Sequence, residues 1–237
     1  LKFYSYYQPS GTVSGDFFDV VQLSETAVGV FIGDVMGHDV RAALVTAMLR
    51  ALVEDASSKN VDPGKVLAEI NRALFKVFRQ AGTTMFATGF FLVIDVAAGS
   101  ITYANAAHPH PLRLRRPAAA VDVLGHDTGV KKGPALGLFQ DVAYPTCTRP
   151  VSPGDFLVFY TDGLIEEETV EGEIFSRERL GEALVKLSAL PPKELLAKTL
   201  DEIRKFAGRL EFSDDICLVG VEITQLKPEA ESAPQAY

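Results

Sequence analysis

Cysteine is nearly absent: two of the 237 residues, Cys147 and Cys217, and neither sits in a CxxC pair. That excludes a disulfide framework and a thiolate zinc site, and a reducing, cytoplasmic compartment is the simple reading. No run of about 18 uninterrupted apolar residues occurs, so no membrane-spanning helix is expected. No basic run is long enough to seek an anionic membrane surface. With a formal net charge of −8, the chain also lacks the basic stripe of a nucleic-acid binder. Residues 1–7 have neither the basic start nor the apolar core of a signal peptide. The chain opens without Met, directly in strand-like text. That points to a fragment of a longer protein, although Met removal or tag cleavage would look the same.

What remains is apolar and acidic. Hydrophobic residues make up 47% of the chain, enough for one large domain or two small ones. β-branched and apolar runs predict strands over 26–32, 87–96, 100–104, 155–160 and 216–223. Residues 95–100 read as a hairpin turn with Ala98-Gly99 at its tip. A helix over 39–57 is apolar on most faces and is expected to be buried. A second, over 63–78, carries Val66, Leu67, Ile70, Leu74 and Phe78 on one stripe, with Asp62 as N-cap and Pro63 in the first turn. A third covers 192–206, with Leu195, Leu196, Leu200, Ile203 and Phe206, and a shorter one covers 176–187. Strands, two helices, strands, helices and a last strand give a layered α+β sandwich with antiparallel pairing. Residues 225–237 (QLKPEAESAPQAY) read as a disordered tail or linker.

Acidic residues recur where strands end. Asp34 follows VGVFIG and Asp162 follows FLVFYT, each leaving a strand. Asp16 precedes FFDVVQL, and Asp214-Asp215 precede ICLVGV, each at a strand's start. In an antiparallel sheet the end of one strand lies beside the start of its neighbour, so all four spots are expected at one end of the sheet. Carboxylates brought together repel unless a cation sits among them. Without His or Cys companions, the guest is a hard oxygen-seeking ion, Mg²⁺ or Mn²⁺, and about four negative charges match two of them. The bland reading of each Asp is a turn or cap residue, with the adjacent Gly15, Gly33 and Gly163 as ordinary turn glycines. Composition and spacing leave both readings open.

The words Ser14-Gly15-Asp16-Phe17-Phe18-Asp19, Gly33-Asp34-Val35-Met36-Gly37-His38, Tyr160-Thr161-Asp162-Gly163-Leu164-Ile165-Glu166 and Ser213-Asp214-Asp215-Ile216 resemble, in this order, the SpoIIE/RsbU-type branch of the PPM (type 2C) serine/threonine phosphatases. Tyr103-Ala104-Asn105-Ala106-Ala107-His108-Pro109, Gly133-Pro134-Ala135-Leu136-Gly137-Leu138 and Pro153-Gly154-Asp155 extend the likeness over about residues 5–223. The resemblance implies an α-β-β-α sandwich of two antiparallel sheets, with a phosphatase domain over 1–224, and a centre of two Mn²⁺ or Mg²⁺ ions. It places Asp34 as the bridging ligand, the Val35 carbonyl beside it, Asp162 and Asp214 on one ion, and Asp16 on the other. Asp34, Asp162 and Asp214 would be the catalytic set. Asp215 falls in the place of an outer polar residue and ranks below Asp214, and Asp19 is read as structural.

The implied reaction is hydrolysis of a phosphoserine or phosphothreonine by a water shared between the ions, with no phosphoenzyme. The implied substrate is an anti-anti-sigma factor-like partner in a bacterial partner-switching pathway, with a sensor or regulatory domain preceding this one. The helix over 39–57 starts beside Asp34, which makes it a candidate switch element. His38 reads either as a general acid or as a loop histidine; His108 reads as structural, and Arg41 as solvated rather than phosphate-binding. Two departures stand out. The family's Gly-His-Gly is here Gly37-His38-Asp39, with Asp39 available as a helix cap. Its Asn-Ala-Gly-His-Pro is here Asn105-Ala106-Ala107-His108-Pro109, which costs stability if that position needs a positive φ. The rival readings are a phosphatase-like binding domain with little turnover and another two-metal phosphoesterase.

Overall fold

The computed structural model describes residues 1–9, 11, 14–37, 39–125 and 132–227. In chain order the elements are β1 (Lys2–Gln8), β2 (Asp16–Gln22), β3 (Ala27–Val35), α1 (Val40–Lys59), α2 (Pro63–Gln80), β4 (Ala87–Asp95), β5 (Ser100–Ala106), β6 (Leu112–Arg115), β7 (Ala120–Val123), β8 (Cys147–Pro150), β9 (Asp155–Tyr160), α3 (Ser176–Lys186), α4 (Pro192–Ala207) and β10 (Ile216–Glu222). The strands form two five-stranded sheets, ordered β1-β10-β9-β6-β7 and β2-β3-β4-β5-β8. Every pairing within them is antiparallel.

The layering follows from period-2 alternation. Along β3, Val30 and Ile32 point between the sheets, whereas Phe31 and Val35 point to the helices α1 and α2. Phe90 and Leu92 of β4 join the first set, and Phe91 and Val93 join the second. On the other sheet, Leu157, Phe159, Cys217 and Val219 face inward, and Phe156, Val158, Ile216 and Leu218 face α3 and α4. Strands buried on both faces read as unbroken apolar runs, which is why β3, β4, β9 and β10 were visible in the sequence. Each fully buried Val, Leu, Ile or Phe contributes about 1.5–3 kcal/mol.

The helix caps expected from sequence are present. Asp62 accepts from the N–H groups of Gly64 and Lys65, and Asp39 accepts from those of Arg41 and Ala42. The expectation for α1 is corrected. Only one side of it is buried, through Ala42, Leu49, Val53 and Ala56, while Val40 and Leu44 face solvent. Its alanines made the helix look apolar all round, but a helix lying on a sheet needs only one stripe. The hairpin turn between β4 and β5 forms where expected, with Gly99 at φ +61°. Past β10, Leu226 packs against the inter-sheet core and the Lys227 N–H donates to the Val96 carbonyl at 2.9 Å. The rest of the expected tail, 228–237, lies outside the described residues, as does His38.

Candidate metal centre

At one end of the sandwich the inward-facing apolar ladder turns polar. Stepping two residues back from Phe18 reaches Asp16, two on from Ile32 reaches Asp34, and two back from Phe90 reaches Thr88. On the other sheet, the same step from Phe159 reaches Thr161 and from Cys217 reaches Asp215. Asp16 and Asp34 are direct cross-strand neighbours, and Thr88 stands opposite Asp34 on its other side.

The acidic spots therefore do not share one sheet, as the sequence reading had it. Asp16 and Asp34 come from one sheet, and Asp162, Asp214 and Asp215 from the other, across the inter-sheet gap. The pairing of β9 with β10 bridges more than fifty residues and left no local signal. Asp162 opens a one-turn 3-10 helix, Asp162–Leu164. Close approach shapes both edges: a Cβ on Gly15 would overlap the Val35 carbonyl, and one on Gly163 would overlap the Asp215 carbonyl.

Thr161 joins the two sheets. It is fully buried; it accepts from the Cys217 N–H at 3.0 Å and donates its hydroxyl proton to Asp16 Oδ2 at 2.6 Å. Asp215 accepts from the Gly15 N–H at 3.3 Å. Asp214 is more exposed, and its Oδ1 accepts from the Asp215 N–H at 2.7 Å. Glu167, with no exposed surface, holds this loop. It accepts from Ser213 N at 2.6 Å and Ser213 Oγ at 2.8 Å, and it pairs with Arg209 at 2.7 Å. Asp19 points elsewhere and pairs with Arg50 at 3.4 Å. Arg41 is solvated, 80% exposed, with Asp39 at 3.8 Å. Thr88, Thr161 and Glu167 were not singled out from sequence; the signal for the two threonines was the period-2 continuation of the apolar strands.

Burial and neighbouring carboxylates raise the proton affinity of the acidic groups at this end of the fold. Burial first, then Asp34, Asp162 and Asp215, push the Asp16 carboxyl up to about 9, against the opposing hydrogen bond from Thr161. Burial and then Asp162, Asp214 and Asp215 push Asp34 up to about 7. Burial and Asp214 raise Asp162, and burial with Asp162 and Asp214 raises Glu166. Among the described residues, no group of three or more His, Cys, Asp or Glu side chains is placed to hold a metal ion. The carboxylates of the two sheets repel one another. An oxygen-only donor set, partly buried and destabilised by its own charge, fits a hard divalent cation.

Two facing antiparallel sheets with helices on both outer faces, and carboxylates gathered at one mouth, define the PP2C-type phosphatase fold. The structure superimposes on the SiaA-PP2C domain of Pseudomonas aeruginosa with a TM-score of 0.80 and 20% identity, over 93% of this chain and 85% of that one. The RsbU and RsbW domains of Rv1364c from Mycobacterium tuberculosis give 0.77 and 24%, over 96% and 61%. The family model for Stage II sporulation protein E (SpoIIE) matches residues 24–224, and the chain belongs to that family. Phosphoserine phosphatase RsbP of Bacillus subtilis (strain 168) is 29% identical over 220 residues. That alignment covers 92% of this chain and 51% of RsbP, so the chain spans about half the length of that relative. No helix among the described residues is long and apolar enough to cross a membrane.

Proposed function

We propose that this domain, over residues 1–224, is a Mn²⁺- or Mg²⁺-dependent phosphatase. It acts in the cytoplasm and removes phosphate from a phosphoserine or phosphothreonine on a regulatory, anti-anti-sigma factor-like partner. The observation that carries the reading is the gathering of partly buried carboxylates from two sheets, Asp16 and Asp34 from one and Asp162 from the other, each raised first by burial and then by neighbouring carboxylates. Membership of the SpoIIE family supports it. Two ions would be held by Asp16, Asp34, the Val35 carbonyl, Asp162 and Asp214. When bound, they supply an activated water and screen the phosphoryl charge.

The chain's own residues prepare the site. Thr161 fixes one Asp16 oxygen, leaving the other to a ligand. The β2–β3 and β3–β4 ladders hold Asp34 between Asp16 and Thr88. Glu167 ties down Ser213, one residue before Asp214. The test is hydrolysis of an aryl phosphate and of a phosphoserine peptide, with and without Mn²⁺. Turnover is expected only with the metal, and Asp34→Asn should reduce it by at least about 100-fold, the upper range for an outer-shell change. Metal-independent turnover, or an active Asp34→Asn, would refute the reading. A nucleotide competing better than the phosphopeptide would redirect it to another two-metal phosphoesterase.

A further inference from the structure

The inward-facing polar row continues past the carboxylates. Thr88, opposite Asp34, has its Oγ1 2.8 Å from Nδ1 of His108. Directly opposed antiparallel residues project from the same face, so the Thr88 hydroxyl shares the Asp34 side of the sheet. His108 is fully buried. Asn105 clamps its backbone both ways: His108 N–H donates to Asn105 Oδ1 at 2.9 Å, and Asn105 Nδ2 donates to the His108 carbonyl at 3.1 Å.

The turn that delivers the ring is strained. Ala107, just before it, sits at φ +61°, a region that disfavours residues with a Cβ. On the side away from Thr88, the ring lies against the Tyr160 backbone, which hydrogen-bonds it and opposes the effect of burial. Burial, the largest cause, holds the imidazole neutral, pulling its pKa down to about 3. A neutral ring with one N–H either donates to the threonine hydroxyl or accepts from it. In both cases it stops that rotor and aims the hydroxyl's remaining capacity outward. Outward lies a groove of about 670 Å³ lined by Thr88, Ala107, Lys132, Asp162, Ile165 and Arg177.

We propose that Thr88 contacts the substrate, hydrogen-bonding a phosphoserine- or phosphothreonine-bearing segment laid in this groove, and that His108 is the residue that positions it. The inference rests on the phosphatase reading and extends it to residues that hold no cation. The test measures kcat and KM on a phosphoserine peptide, Mn²⁺ affinity and thermal melting for the wild type and four variants. Thr88→Val is expected to lose about tenfold in kcat/KM, the worth of one hydrogen bond, at unchanged Mn²⁺ affinity. Thr88→Ser, which keeps the hydroxyl, should stay within about twofold. His108→Ala should match Thr88→Val, and His108→Asn, which restores a polar partner, should recover most of the loss. Thr88→Ala replaces the valine variant if that one does not fold. Wild-type turnover with an unaffected Thr88→Val, or a loss that tracks Mn²⁺ affinity or melting alone, overturns this inference and leaves the phosphatase reading standing. No turnover by the wild type overturns both.

Discussion

The two walls of the acidic mouth are built differently. Asp16 and Asp34 sit on neighbouring strands in direct register, so the sheet ladder fixes their separation. Like charges directly opposed on a sheet are destabilising, and nothing local lets them move apart. Asp162, Asp214 and Asp215 lie just beyond strand ends, on a one-turn 3-10 helix and a loop. Their placement depends on side-chain ties through Glu167 and on the close approach at Gly163. One wall is rigid because of backbone pairing; the other is only as rigid as its tethers. Metal affinity should therefore be most easily tuned from the loop side, by residues that bind no metal.

The largest expected effect comes from cutting the main tether. Glu167→Gln leaves Arg209 without a charged partner and weakens the bonds to Ser213. It should cost up to about 3 kcal/mol in urea unfolding, mostly from the buried hydrogen bonds to Ser213, since Arg209 is 43% exposed and keeps its solvation. Hydrogen exchange should speed up at Ser213–Asp215 while the β2–β3 amides stay protected; uniform loss across both walls would break the contrast. Gly163→Ala forces the 3-10 turn off the Asp215 carbonyl. It should cost about 1–3 kcal/mol and weaken Mn²⁺ binding, read by calorimetry. An unchanged Mn²⁺ affinity would mean the loop wall does not need that approach.

The smallest effect lies beside the sheet wall. Ala107→Gly relieves the +61° backbone and should stabilise the fold by about 0.5–1 kcal/mol after the added chain flexibility is counted. A destabilised variant would show that the alanine methyl matters more than its strain.

This contrast also explains what the sequence revealed. Asp16 and Asp34 could be found because strand, glycine and carboxylate are consecutive letters and hairpins pair neighbouring strands. The doubly buried β3, β4, β9 and β10 announced themselves as apolar runs. The four-residue strands β6, β7 and β8 are too short to show a period. β1 was seen only as strand-like text, and its partner β10 lies at the far end of the chain. Glu167 stands among acidic letters in Glu166-Glu167-Glu168, where nothing marks the buried one. Thr88 and Thr161 carry ordinary side chains whose importance comes from strand parity and long-range pairing. The Asp39 cap and the positive φ at Ala107 were both posed by the two departures from the family's wording, and the structure contains both.

The central claim is that the acidic mouth is electrostatically costly when empty of cations, and stability against pH tests it directly. Asp16 and Asp34 bind their protons more tightly in the folded state than in the unfolded chain. Their stabilising contribution is therefore full below about pH 4 and is lost as the pH rises toward about 9. Metal-free protein should lose stability across that window. Saturating Mn²⁺ should restore it at the alkaline end, and Asp34→Asn should flatten the metal-free slope. Metal-free stability that holds or rises over the same range, with no gain from Mn²⁺, would contradict the account.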